Sequence, residues 1–176
     1  TAAAILRMKD KLKEQGSKLH ALVNNAAISP KKPDGARLNT IETDEADWKK
    51  VFQVNFFAPV MLARGLIDEL EAAKGAVVNV TSIAGSRVHP FAGAAYSTSK
   101  AALASLTREM AADFGPIGVR VNSISPGEIE TSILSPGTEK IVAHQIPLHI
   151  EIGDGAGVVH ADARAATVGL RVACDA

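Results

Sequence analysis

Three short apolar runs constrain this chain most. Each is closed by small polar residues, and a long helical pattern separates each from the next. The runs are Leu19 to Val23 in "KLHALVNNAA", the stretch "AVVNVTS" and the stretch "GVRVNSIS". Each is too short for a helix and bounded by turn residues, so each reads as a buried strand. Residues 2–15 ahead of them are good helix formers, and Gly16 then serves as a C-cap. "ISPKKPDGARLNTIET" is a loop rich in Pro, Asp and Gly. Thr43 or Asp44 then caps a long helix that Gly75 ends. Pro59 lies inside that helix and is expected to bend or distort it. A loop, "IAGSRVHPFAG", leads into a second long helix over Ala94 to Phe114, closed by Gly115 and Pro116.

Helix alternating with strand predicts an α/β fold, a parallel sheet with right-handed crossovers. Strands that are apolar nearly throughout predict helices on both faces. Sites in such sheets lie beyond the carboxyl ends of the strands. The three strands run into "NNAA", "TSIAGS" and "SPGEIET" respectively, so the topology gathers these three segments on one edge.

Composition excludes several classes. Lys plus Arg number 19 and Asp plus Glu number 19, so charge makes no case for nucleic acid or an anionic membrane. With one cysteine, Cys174, a disulfide framework and a Cys-based zinc site are excluded, and the chain reads as cytoplasmic. No apolar run approaches the length of a membrane span. The start, "TAAAILRMKDKLKEQG", is basic and mildly amphipathic, but Asp10 and Glu14 argue against a transit peptide. It reads instead as the last helix of an upstream part of a larger domain.

Four residues on or near that edge can do chemistry. Tyr96, the only tyrosine, precedes Lys100 by one helical turn, so the two share a helix face. A phenol with a reference pKa of about 10 is a poor base near neutrality, and an adjacent ammonium favours its ionised form. Such a phenol can exchange a proton with a substrate oxygen. The same pair also suits an ordinary amphipathic surface, with the lysine snorkelling. Ser82 closes the second strand, where its hydroxyl can hydrogen-bond a carbonyl oxygen as charge develops, or simply make a strand-end turn. Asn55 lies mid-helix, a poor place for Asn, four residues before Pro59. Its carbonyl, which Pro59 cannot bond, can accept from a water or a lysine, or the site can be a kink and no more.

Taken together, "LVNNAA", the Asn of "VNFFAP", "VVNVTSIAG", "YSTSK" and "VRVNSISPGEIETSI" keep the order and spacing of one family. Over residues 19–133 the chain resembles the short-chain dehydrogenase/reductases. The resemblance implies a Rossmann-type doubly wound sheet, NAD or NADP as cofactor, and reversible hydride transfer to or from a small-molecule carbonyl or alcohol. It implies Tyr96 as general acid/base and Lys100 as the group that tunes it and holds the nicotinamide ribose. Ser82 becomes the orienter of the substrate oxygen and Asn55 the holder of a water relay to Lys100. Asn24 matches a position near the cofactor ribose, and Pro126, Gly127, Ile129 and Thr131 match the loop at the nicotinamide end. Ala27 stands where the family usually has Gly. A homo-oligomer, dimer or tetramer, is implied for a full-length parent.

The family opens with a glycine-rich T-G-x-x-x-G-x-G turn for the pyrophosphate. Nothing before Leu19 matches it, so the first strands of the sheet are expected to be absent, leaving the first strand here exposed and the chain prone to aggregate. "LHIEIGDGAGVVHADARAA" looks like strand, glycine loop and helix, but Gly153, Gly155 and Gly157 have the wrong spacing for a nucleotide loop. Residues 1–149 form the partial catalytic domain. Residues 150–176 depart from the family pattern, with a composition that a shifted reading frame of GC-rich DNA produces.

Other chemistries fare worse. No G-x-S-x-G supports a serine hydrolase, and no H-E-x-x-H or His/Cys cluster supports a metal site. The competing reading is an inactive fragment of the same family that acts only as an oligomerising or binding piece.

Overall fold

The computed structural model describes residues 2–127 and the backbone of two further strands, Leu148–Glu151 and Val158–Ala161. Helix α1 spans Ala2–Glu14 and strand β1 spans Ala21–Asn24. Helices α2 (Glu45–Phe52), α3 (Ala58–Gly65) and α4 (Ile67–Ala73) precede strand β2 (Ala76–Val80). Helix α5 spans Ala94–Phe114 and strand β3 Arg120–Ser125, with β4 (Leu148–Glu151) and β5 (Val158–Ala161) after them. The sheet order is β1-β2-β3-β4-β5. The first three strands are parallel, with Asn24 opposite Asn79 and Val77 opposite Val121. Strands β4 and β5 run antiparallel to β3 and to each other. The stretch after the glycines at 153–157, which reads as helix in sequence, is therefore strand at 158–161.

The long helix expected up to Gly75 is broken twice. Pro59 has no N–H to give the Asn55 carbonyl, and the chain answers with a wider π turn over Gln53–Phe57, in which the Ala58 amide bonds Gln53. Asp44 is the N-cap, accepting from the Asp47 amide at 2.7 Å. Thr43 instead turns inward and donates to the Asn39 carbonyl. The second break, at Leu66, turns the axis by 59°. There α1 crosses so closely that a Cβ on Gly65 would lie 2.7 Å from the Ile5 side chain, and Lys9 pairs with Asp68 and Glu69.

Burial alternates along the strands rather than running through them. Val77 and Asn79 are fully buried, whereas Ala76, Val78 and Val80 are half-buried. Val23 is 57% exposed, since it pairs with Val78 on the face of the sheet opposite the Val77 and Asn79 side chains, and β1 has β2 as its only described neighbour. The core lies on one face, where Ala63, Leu70, Val77, Met110, Val119 and Val121 pack together. Among the described residues, helices therefore cover one face of the sheet rather than two. No single described helix is long and apolar enough to cross a membrane.

Candidate active site

Parallel pairing brings the ends of β1, β2 and β3 to one edge, as the strand order of the sequence predicts. The loop after β2 is tied to the loop after β3 by the Ile83 amide on the Pro126 carbonyl at 3.1 Å. Thr81 reinforces the join, with its amide and hydroxyl both on the Ile124 carbonyl and its hydroxyl on Ser125 at 2.5 Å. Ser82, half-buried, is extended and caps a short 3-10 turn, its Oγ accepting from the Ala84 amide at 3.2 Å. Pro126 and Gly127 lie at the same edge, whereas Ile129 and Thr131 fall outside the described residues.

Tyr96 and Lys100 lie in the first two turns of α5, and Lys100 reaches the end of β2. The Lys100 ammonium is 5.7 Å from the centre of the Tyr96 ring and donates to the Val80 carbonyl at 2.6 Å. Lys100 is 2% exposed, and loss of hydration lowers its pKa from 10.5 to about 8. Tyr96 is half-buried beside a cavity of about 10 Å³ that Pro30, Leu38 and Gly93 also line, room for roughly one water. A larger open groove, about 440 Å³, lies elsewhere, lined by Trp48, Lys49, Phe52, Gln53 and Phe57.

Asn55 is fully buried in the π turn. Its Oδ1 accepts from the Ile28 amide at 2.9 Å and its Nδ2 donates to the Ile28 carbonyl and to Ser99 Oγ, each at 3.0 Å. The side chain thus clamps the backbone just past β1, a use that nothing local in the sequence suggests. The ammonium of Lys100, for which the Asn55 carbonyl is one acceptor expected from sequence, gives its hydrogen bond to Val80 instead.

Asn24 is 6% exposed, and its Nδ2 donates to Asn79 Oδ1 at 2.8 Å. Asn79 in turn donates to Thr107 Oγ1 at 2.9 Å, and Thr107 donates to the Leu103 carbonyl. A buried polar chain thus runs from β1 through β2 into α5. Motif and spacing alone miss Asn79, Ser99 and Thr107, although Ser99 and Thr107 among apolar residues of α5, and Asn79 inside an apolar strand, are the signals that find them. Asn24 Oδ1 is buried with no partner among the described residues, an acceptor open to a donor from outside this set. That orphan and the buried Lys100 ammonium fit the hydroxyl-rich ribose of a nicotinamide nucleotide at this edge.

The loop after β1 is strapped to the loop before α5. Lys31 Nζ donates to the Phe91 carbonyl, Arg37 Nη1 to the His89 carbonyl at 3.2 Å, and the Ala94 amide to the Leu38 carbonyl at 3.0 Å.

Comparison with known proteins bears on the fold and the family. The sequence profile described as enoyl-(acyl carrier protein) reductase matches residues 1–164. Protein FixR of Bradyrhizobium diazoefficiens is 60% identical over 145 residues, covering 82% of this chain and 51% of that protein. Cyclopentanol dehydrogenase of a Comamonas species is 37% identical over 134 residues, covering 76% of this chain and 49% of its own. The chain thus spans about half the length of these curated relatives. A crystal structure of a Brucella ovis oxidoreductase, a short-chain dehydrogenase/reductase, is 68% identical with a TM-score of 0.71, covering 81% of this chain and 66% of that one. A second Brucella ovis structure, in complex with a partially ordered NAD, matches at the same identity and TM-score over 81% of this chain and 63% of its own. This chain belongs to the short-chain dehydrogenase/reductase family.

Proposed function

We propose that this sequence is the catalytic part of an NAD(P)-dependent oxidoreductase acting on a small carbonyl or alcohol. The observation that carries the reading is the Lys100 ammonium, buried without a carboxylate partner among the described residues, one turn from the only tyrosine. Burying an ammonium is costly, and an unpaired one is kept for chemistry more readily than for packing.

In the reducing direction the substrate carbon gains a hydride and its oxygen gains a proton; in the oxidising direction both leave. A bound nicotinamide supplies or accepts the hydride. Tyr96 gives the proton to the oxygen, or takes it back, through its phenol. Ser82 orients that oxygen with its hydroxyl. Lys100, together with Asn24, would hold the ribose, and Pro126, Gly127, Ile129 and Thr131 would flank the nicotinamide end. Asn55, with its side chain committed to Ile28 and Ser99, leaves its main-chain carbonyl for a water that leads to Lys100. The NAD seen with the Brucella ovis neighbour supports a nicotinamide cofactor here, NAD or NADP. A cytoplasmic location and a dimer or tetramer go with this reading.

Tyr96→Phe in the full-length parent tests it: turnover is expected to be lost while NADH or NADPH binding survives. Near-normal turnover removes Tyr96 from its role. A second reading, an inactive piece that only oligomerises or binds, draws on the apolar surface of α2 to α3, where Phe57 is 45% and Met61 43% exposed. NADH fluorescence titration of the full-length parent together with its turnover separates them, since binding with turnover supports the first and the absence of both the second.

A further inference from the structure

Helix α5 carries Tyr96 and Lys100, whereas Ser82 lies just past β2. Their meeting depends on how α5 is seated over β2 and the loop after it. Two contacts away from these side chains govern that seating. At Gly85, an added Cβ would lie 2.9 Å from the Ala101 nitrogen and 3.0 Å from the Lys100 carbonyl carbon. Both are backbone atoms of α5, which cannot rotate aside as a side chain does. The loop that begins at Ser82 therefore lies directly on the helix at Lys100 and Ala101, at a distance that any side chain at position 85 would increase. The second contact is the buried bond from Asn79 to Thr107, 2.9 Å long, two turns below Lys100. Thr107 is 2% exposed and Asn79 fully buried, so no water replaces the bond if α5 slides or turns.

We propose that Gly85 and Thr107 are positioning residues: Gly85 sets the height of α5 over the Ser82 loop, and Thr107 sets its rotation and slide along β2. Together they bring Tyr96 to the oxygen that Ser82 holds. The inference rests on the oxidoreductase reading above and adds to it the means by which two elements are held in reacting geometry, where displacements well under 1 Å matter.

The test uses the full-length parent with NADH or NADPH and a carbonyl substrate, and compares Gly85→Ala, Thr107→Val and Thr107→Ser. Gly85→Ala and Thr107→Val are expected to lower kcat about tenfold or more, with KM and cofactor affinity within about twofold. Thr107→Ser, which keeps the hydroxyl, is expected to restore kcat. Gly85→Ala added to Ser82→Ala is expected to be no slower than Ser82→Ala alone, because the displacement acts through Ser82. If Gly85→Ala fails to fold, the Thr107 pair decides. A readout without turnover uses the full-length parent: the titration of the Lys100 amine, monitored by isotope-labelled reductive methylation, moves upward in Gly85→Ala and Thr107→Val. It stays in place in Gly115→Ala, where a Cβ meets open space. Full kcat in both Gly85→Ala and Thr107→Val beside an inactive Tyr96→Phe overturns the positioning proposal alone. An active Tyr96→Phe overturns the oxidoreductase reading and this proposal with it.

Discussion

The ammonium of Lys100 lies 5.7 Å from the ring of Tyr96 and spends its hydrogen bond on the carbonyl of Val80, 2.6 Å away. The two side chains share one helix, whereas the carbonyl belongs to the strand beneath. Desolvation lowers the lysine pKa to about 8, so its charge is present at neutral pH and lost just above it. An ammonium can favour an ionised phenol beside it only while it is itself protonated.

This burial has a stability consequence. Lys100 titrates near 8 in the folded chain against an ordinary value of 10.5, so between these limits the unfolded chain holds the extra proton. Stability therefore rises with pH across that window, and below it the full cost is present, about 3 kcal/mol. Lys100→Met is expected to raise stability at pH 7 by about 2 kcal/mol, since the Val80 carbonyl loses its donor. The gain should shrink as pH climbs from 8 to 10.5. Urea melts of the full-length parent with and without the substitution across this range check it, and a pH-independent difference would contradict it.

Asn55 ties the segment after β1 to the helix layer through Ile28 and Ser99. Asn55→Leu leaves both backbone groups of Ile28 without these partners and should cost about 2–4 kcal/mol. The loop carrying Lys31, Lys32 and Arg37 should also become a preferred trypsin site. Unchanged cleavage kinetics would show that the strap to Phe91 and His89 holds the loop unaided.

The two strand asparagines are expected to differ. Asn79 accepts from Asn24 and donates to Thr107, so Asn79→Leu strands groups on both sides and should cost about 2–3 kcal/mol. Asn24→Leu removes an acceptor that is already unsatisfied and should cost less. Thermal melts of the two variants in the full-length parent rank them, and the reverse order would sink the account.

Strand β1 presents an open edge with Val23 57% exposed. The chain alone is expected to associate with rising concentration, and Val23→Lys should suppress this by placing a charge on the exposed strand. Light scattering measures it. A cooperative melt from a clean monomer of the unaltered chain would refute the expected aggregation.

Much of the sheet edge was legible in the sequence. The β2 and β3 runs, α5 from Ala94 to Phe114 and the Gly16 cap come from periodicity and turn residues, which act over a few neighbours. The helix after Asp44 was less legible. Pro59 announced a distortion, but whether the chain kinks or widens into a π turn depends on what the side chain of Asn55 finds, and it finds Ile28, 27 residues away. The break at Leu66 depends on α1 crossing at Gly65, a contact between distant segments.

The same division holds at the site. Local order placed Tyr96 and Lys100 one helical turn apart and put Ser82 at a strand end, because helix pitch and strand termination are decided by adjacent residues. The partners of these groups lie on other elements: Val80 beneath Lys100, Thr107 against Asn79, the bare α-carbon of Gly85 against α5. Only the packing of sheet against helix could choose them, since burial makes each polar group seek whatever partner the fold brings within reach, at any distance along the chain.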